Sequence, residues 1–331
     1  MADIAHPRDV FDLIGHQGAE AALEDSRARG RLHHAWLLTG LEGVGKATFA
    51  YRAARRLLGA APAPAYGLLG SSPDDPVSRQ VMARSHPDLF VLERVGEDGK
   101  VRKVIPVDEA RKLSEFFSKS PASAPHRVAI IDAADDLNNN AANAILKTLE
   151  EPPPSGVLLM ISHAPGRLLP TIRSRCRRLA FAPLPLEDAA HFVMAKADVD
   201  EESAFRLARM AGGAPGRALT LAASSAIAMD DVARAVVENL PGMDEGAALA
   251  LADRFRGGEG QAHFNLLFER LAERLHAFTL ERAAMGARPL DQWAGAWEML
   301  QRLPREVEAL NLDRADALFT ALGELRQAAR V

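Results

Sequence analysis

Gly40-Leu-Glu-Gly43-Val-Gly45-Lys46-Ala47-Thr48 sets glycines ahead of a lysine at the G-x-x-x-x-G-K spacing of a phosphate-binding loop. Glycines let such a loop curl until its backbone N–H groups converge on an anion. A helix starting at that point adds a dipole that favours negative charge. Lys46 is placed to reach the outer phosphates of a nucleotide. The next position normally carries a hydroxyl for Mg²⁺, and Ala47 has none. Thr48 follows one residue later, rotated about 100° around the helix. The candidate nucleotide-binding set is therefore Gly40, Gly43, Gly45, Lys46 and Thr48, short of one metal ligand.

The second half of such a site is an apolar strand that ends in acid. Arg127-Val-Ala-Ile-Ile-Asp132 supplies the strand, and Asp132 can hold Mg²⁺ through its water shell. The next position, where a carboxylate would polarise the attacking water, is Ala133. Asp135 and Asp136 are expected in a solvated turn before a helix. Two defects in independent elements predict poor or absent ATP hydrolysis. Weak ATP or ADP binding remains compatible, no cofactor is required, and no protein-bound metal site is expected.

Other reactive side chains read as structural. Adjacent His33 and His34 should diverge on extended chain, which makes them a poor metal pair. Cys176 reads as a small packed residue, with no histidine placed by sequence to activate it. The run Arg173-Ser-Arg-Cys-Arg-Arg178 is either a phosphate-contacting cluster or a solvated turn. That choice stays open for Arg177 and Arg178.

These residues need a scaffold. Ala35–Thr39, Val128–Ile131 and Val157–Ile161 are apolar runs short enough for buried strands. Lys46–Leu58 and Asn139–Glu151 read as helices, the second stopped by Pro152-Pro153-Pro154. Nearly continuous apolar strands alternating with helices predict an α/β core, a parallel sheet with helices on both faces. Gly59–Pro76 reads as a loop or insertion. Beyond Phe181 the strand pattern stops. Helices follow, interrupted at Gly212–Gly216 and again at Pro241-Gly242, and Phe264–Ala284 and Asp313–Ala329 are the longest segments. The expected organisation is a core over 1–182, a helical lid over 183–240 and a helical collar over 241–331.

With 331 residues, two or three domains are expected. Aromatics make up only 5%, which points to a core of Ala, Leu and Val. Lys+Arg 40 against Asp+Glu 44 leaves −4, with a pI near 6.2, so no basic excess favours a stand-alone DNA-binding protein. A single cysteine excludes an intrachain disulfide or a cysteine-rich zinc site. No apolar run reaches the ~18 residues of a membrane span. The opening MADIAHPRDVFDL lacks the features of a signal peptide, and a soluble, cytoplasmic protein is expected.

Three further strings are more specific: Asn143-Ala-Ile-Leu-Lys-Thr-Leu-Glu-Glu-Pro-Pro153, Leu169-Pro-Thr-Ile-Arg-Ser174-Arg175-Cys176 and Arg31-Leu-His-His-Ala-Trp-Leu-Leu. Together they resemble the clamp-loader branch of the AAA+ ATPases, across core, lid and collar. The resemblance implies that Arg175 reaches across a subunit interface into a neighbour's ATP site as an arginine finger. It implies gamma/tau and delta subunits as partners, with the sliding clamp and primed DNA engaged through the complex, and no membrane. Ala47 and Ala133 separate this chain from the hydrolysing gamma/tau type, which remains the alternative reading alongside another AAA+ ATPase.

Relatives often carry a four-cysteine zinc module after the phosphate-loop helix. Residues 59–87 contain no cysteine, so that module is absent or rebuilt without metal. Arg217 stands about one position from a sensor arginine and is expected as a surface helix residue. Ser162-His163 occupies a sensor position or a bare turn.

Overall fold

The computed structural model describes residues 4–96, 99–240, 245–257, 260–286 and 290–329. Its described residues form two compact units, Met1–Thr220 and Leu221–Val331.

In the first unit, α1 (Gln17–Ala28) precedes β1 (Ala35–Thr39). Helices α2 (Lys46–Leu57) and α3 (Pro76–Met82) separate β1 from β2 (Leu89–Glu93). Then α4 (Val107–Phe117) leads to β3 (Arg127–Asp132), α5 (Asn139–Glu150) to β4 (Gly156–Ser162), and α6 (Pro170–Arg175) to β5 (Arg177–Ala180). The strands pair in parallel in the order β2-β3-β4-β1-β5.

Strand alternation explains why the apolar runs are continuous. Trp36, Leu38, Val128, Ile130, Leu159 and Ile161 face one side, where Phe49, Ala53 and Leu57 of α2 cover them. Ala35, Leu37, Ala129, Ile131, Leu158 and Met160 face the other, beneath Leu113 of α4 and Ile145 and Leu149 of α5. Two buried faces leave no polar position on β1 except Thr39.

Two strands were not expected. β2 is an edge strand and half-buried. β5 begins in the last two residues of the run read as a basic cluster or turn, and of its four residues only Leu179 is buried. Backbone pairing with β1 makes it a strand, and its arginines find partners there. Arg177 lies over the Trp36 ring at 4.8 Å, and Arg178 Nε donates to Thr39 Oγ1 at 3.0 Å.

Residues 59–76, expected as a loop or insertion, form a loop pinned by specific contacts, with α3 following it. A short 3-10 turn spans Pro64–Tyr66, and Asp75 caps α3 by accepting from the N–H groups of Val77 and Ser78. Asp75 also accepts from the Ala61 N–H at 3.1 Å, and Leu69 is fully buried. Buried Ser71 and Ser78 share a hydrogen bond of 3.1 Å. Among the described residues, no group of three or more histidine, cysteine or acidic side chains is arranged to hold a metal.

Asp88, fully buried just ahead of β2, organises the approach to β3. Its carboxylate accepts from the backbone N–H groups of Ala122, Ser123 and Ala124 at 2.8, 2.9 and 3.1 Å. Burial alone would raise its pKa, but these three donors and Arg127 outweigh it and hold the group below the usual carboxylate range. Asp88→Ala should therefore cost about 3 kcal/mol in urea unfolding at neutral pH. Because the folded pKa is depressed, this contribution is complete above the unfolded value and fades as pH falls through the folded one. The gap between wild type and variant should close in acid.

Helices α7 (Leu186–Lys196), α8 (Glu201–Met210) and α9 (Pro215–Ala222) follow the sheet, with Gly212 and Gly213 at the break before α9. The second unit is built from α10 (Ala226–Glu238), α11 (Glu245–Asp253), α12 (Gly260–Ala284), α13 (Asp291–Leu310) and α14 (Arg314–Ala329). Among the described residues it contains no strand. Its core joins Ala233 and Val236 of α10 to Phe264, Phe268 and Leu271 of α12 and Leu318 and Leu322 of α14.

This corrects the expected lid. Residues 183–240 do not form a unit of their own, because α10 buries its apolar face with α12. The division falls at 220/221 rather than at 182 and 240. The expected break at Pro241-Gly242 lies outside the described residues.

Candidate nucleotide site and interface arginine

The carboxyl ends of β1, β3 and β4 meet at the phosphate loop. Thr39 is in register with Ser162 of β4, and Asp132 closes β3 on the other side of β4. Ligands bind at this edge of open parallel sheets.

The loop glycines have distinct reasons. Gly45 caps α2 with a φ of 109°, a conformation that strains any side chain. Gly43, at φ 74°, lies so close to α9 that a methyl group would collide with the backbone nitrogen of Arg217. The Gly43 carbonyl also accepts from the Gly216 N–H at 2.8 Å. Arg217 is thus not a remote surface residue. Its backbone seats on the phosphate loop, and its side chain is half-buried.

Lys46 is 2% exposed and folds back to donate to the carbonyls of Gly40 and Leu41 at 2.7 and 2.5 Å. Burial lowers its pKa to about 8, opposed first by the Asp132 charge. Burial likewise raises Asp132 to about 6, and Lys46 pulls it back. Each group thus favours the charged form of the other across the site.

Alanine stands at both 47 and 133. Ala47 is half-buried against the core, and Thr48 is half-buried one position on. Ala133 is 3% exposed and packs in the same apolar cluster as Phe49, so its position faces core and not solvent. Glycines of positive φ at the start of α2 fit a nucleotide phosphate. A fully liganded Mg²⁺ does not fit residues that offer Asp132 without a hydroxyl at 47.

Asp135 differs from the expected solvated turn. It accepts from Ser162 Oγ at 2.9 Å and from the N–H groups of His163 and Ala164 at 2.6 and 3.1 Å. It therefore fixes the turn after β4, and Ser162 is spent on that contact. Nothing in the sequence announced a partner 27 residues away. Asp136 pairs with Arg94 at 3.2 Å.

His33 and His34 pack and hydrogen-bond as expected, although a bend at His34 keeps their side chains together and not diverging. Their rings stack at 4.4 Å between centroids, and His33 Nδ1 lies 2.8 Å from the Ala35 carbonyl. Cys176 is half-buried beside Met160 (Sγ–Sδ 3.9 Å), and burial pushes its thiol up to about 12, which disfavours the thiolate.

Arg175 stands apart from the loop as the last residue of α6. Its Nη1 donates to the Thr171 carbonyl at 3.0 Å, and its Nη2 meets Glu150 Oε1 at 2.8 Å. The side chain is 35% exposed.

A parallel sheet whose first strand runs through a glycine loop into a lysine-headed helix, with an acid ending a nearby strand, defines a P-loop-like α/β core. The family model described as "DNA polymerase III, delta subunit" matches residues 15–185, and the chain belongs to that family. It is 41% identical over 184 residues to DNA polymerase III subunit delta prime of Pseudomonas aeruginosa, covering 55% of this chain and 53% of that one. It is 28% identical over 277 residues to DNA polymerase III subunit tau of Salmonella typhimurium, covering 80% of this chain and 41% of that one. A gamma subunit-related protein of Thermotoga maritima superposes with a TM-score of 0.46 at 18% identity, covering 92% of this chain and 98% of that one. The matches to delta prime relatives span about half the length of those proteins. Among the described residues, no helix is long and apolar enough to cross a membrane.

Proposed function

We propose that this chain is a delta prime-like subunit of a DNA polymerase III clamp loader. It would assemble with gamma/tau and delta subunits, hydrolyse ATP poorly or not at all itself, and supply Arg175 to a neighbouring ATPase site. Through the complex it would act on the sliding clamp and primed DNA, and polymerisation would belong to the holoenzyme. The observation that carries this reading is the contrast within one core. The phosphate loop keeps Lys46 but has Ala47 beside it and the methyl of Ala133 buried in the core, while Arg175 stands accessible at the end of α6.

A guanidinium set against a phosphoryl group neutralises the charge developing there, and the subunit that donates it needs no nucleotide of its own. Side chains at 47 and 133 would ordinarily hold the metal and polarise water, and alanine does neither.

The isolated protein should therefore turn over no ATP above the blank in a phosphate-release assay, although it can bind nucleotide weakly. Turnover at the pace of an ordinary AAA+ motor, lost on Lys46→Ala, would overturn this. It would favour the second reading, a gamma/tau-like ATPase, for which the 80% coverage by the tau alignment speaks.

A further inference from the structure

We propose that Glu150 is a positioning residue for Arg175, holding its guanidinium parked on this subunit's own surface until a neighbour's nucleotide phosphate displaces it. The inference rests on the trans-acting reading of Arg175 and adds a residue to it.

Two helices end at the same place. Glu150 is the last residue of α5 and Arg175 the last of α6. The contact is a single one, Nη2 to Oε1 at 2.8 Å, while Nη1 is occupied by the Thr171 carbonyl at 3.0 Å. Thr171 lies one turn back on α6, so the helix backbone and the α5 carboxylate grip the arginine from two directions. Glu150 is 49% exposed and Arg175 35%. The pair is therefore wet on one side, and the rest of the guanidinium fork stays open.

An exposed carboxylate gripping one nitrogen is a weak partner. It is enough to bias a long, flexible side chain toward one rotamer. A polyphosphate brings more charge and can take the fork bidentately, so it wins the competition once the neighbour docks. Each engagement then carries the cost of breaking the Glu150 contact, and that cost falls on binding in the ground state. Neutral glutamine keeps the shape and an acceptor oxygen while removing the competing charge.

The test uses the reconstituted loader carrying wild-type, Glu150→Gln, Arg175→Ala or doubly substituted subunit, with DNA- and clamp-stimulated ATP hydrolysis measured against ATP concentration. The rate lost on Arg175→Ala defines the Arg175-dependent part. For that part Glu150→Gln should lower KM about twofold to threefold and leave kcat unchanged, the pattern expected when a weak exposed pair is removed. Glu150→Gln should change nothing when Arg175 is already alanine. An unchanged KM with Arg175 active would make the pair incidental and overturn the proposal. The same shift in the Arg175→Ala background would assign Glu150 to something other than Arg175. If Arg175→Ala itself leaves hydrolysis unchanged, the trans-acting reading fails and this inference falls with it.

Discussion

Arg52→Ala should cost the protein about 3–5 kcal/mol, the range for breaking one side of a buried ion pair. The Arg52 side chain is 3% exposed and its partner Glu20 6%, with Nη2–Oε1 at 2.7 Å and Nε–Oε1 at 3.1 Å. Arg52 also donates to the carbonyls of Phe11 and Tyr66. One guanidinium in α2 therefore ties together α1, the segment before it, and the 3-10 turn at Pro64–Tyr66. Gly67 leaves the room for this, because a side chain there would press on Arg52 Nη2 and Glu20 Oε2. Alanine at 52 strands the Glu20 carboxylate in the interior and orphans two carbonyls. A domain of ordinary stability, about 5–15 kcal/mol, loses a large share of it. Urea unfolding measures the loss. Pairing Arg52→Met with Glu20→Leu should return much of it, since a volume-matched apolar pair removes the uncompensated charge. A single-variant loss under about 1 kcal/mol would mean that water reaches Glu20 and the pair is not buried.

Arg52 also marks where the sequence stopped being informative. The helix at 46–58 was legible from Phe49, Ala53, Ala54 and Leu57, all of which are buried. Nothing in Tyr51-Arg-Ala-Ala-Arg55 said that both arginines point inward as well. Their partners are mostly backbone carbonyls of residues 8–11 and 66, which carry no side-chain signature. Arg55 in addition sits 4.0 Å over the Phe11 ring. β1, β3 and β4 were legible because burial on both faces forces unbroken apolar runs. β5 was not, because an edge strand needs only Leu179 inside and keeps arginines outside, a composition that also suits a turn.

At the site the pattern is similar. The loop glycines, Lys46 and Asp132 obey a spacing rule that one sequence can display. The clamp of Asp135 on the turn after β4, the seating of α9 on Gly43 and the Glu150–Arg175 pair join residues 25 to 173 positions apart. Such contacts exist only after the sheet has brought its strand ends together. The extent of the lid was misplaced for the same reason, since the apolar face of α10 does not say which partner will cover it.

Arg175→Ala should leave the fold intact, because a partly exposed arginine at a helix end buries little and its loss opens no cavity. Assembly should also survive if, as we propose, the long helices of the second unit carry it, since Arg175 lies outside them. Hydrolysis at the one neighbouring site served by Arg175 should fall about 10³-fold or more, the range over which a trans arginine acts in well-studied nucleotide hydrolases. On the proposed reading Arg175 serves only one of the loader's sites, so the loader as a whole should lose only part of its rate. Arg175→Lys should not restore the activity, because an ammonium lacks the planar fork that spans two phosphate oxygens.

The most direct test is stimulated ATP hydrolysis by a reconstituted loader carrying wild-type or Arg175→Ala subunit, compared at equal assembly by mass. A partial loss with Arg175→Ala that Arg175→Lys does not rescue, from a subunit inactive by itself, is the predicted result. Equal hydrolysis by the two complexes would contradict it and leave Arg175 as a surface charge paired with Glu150.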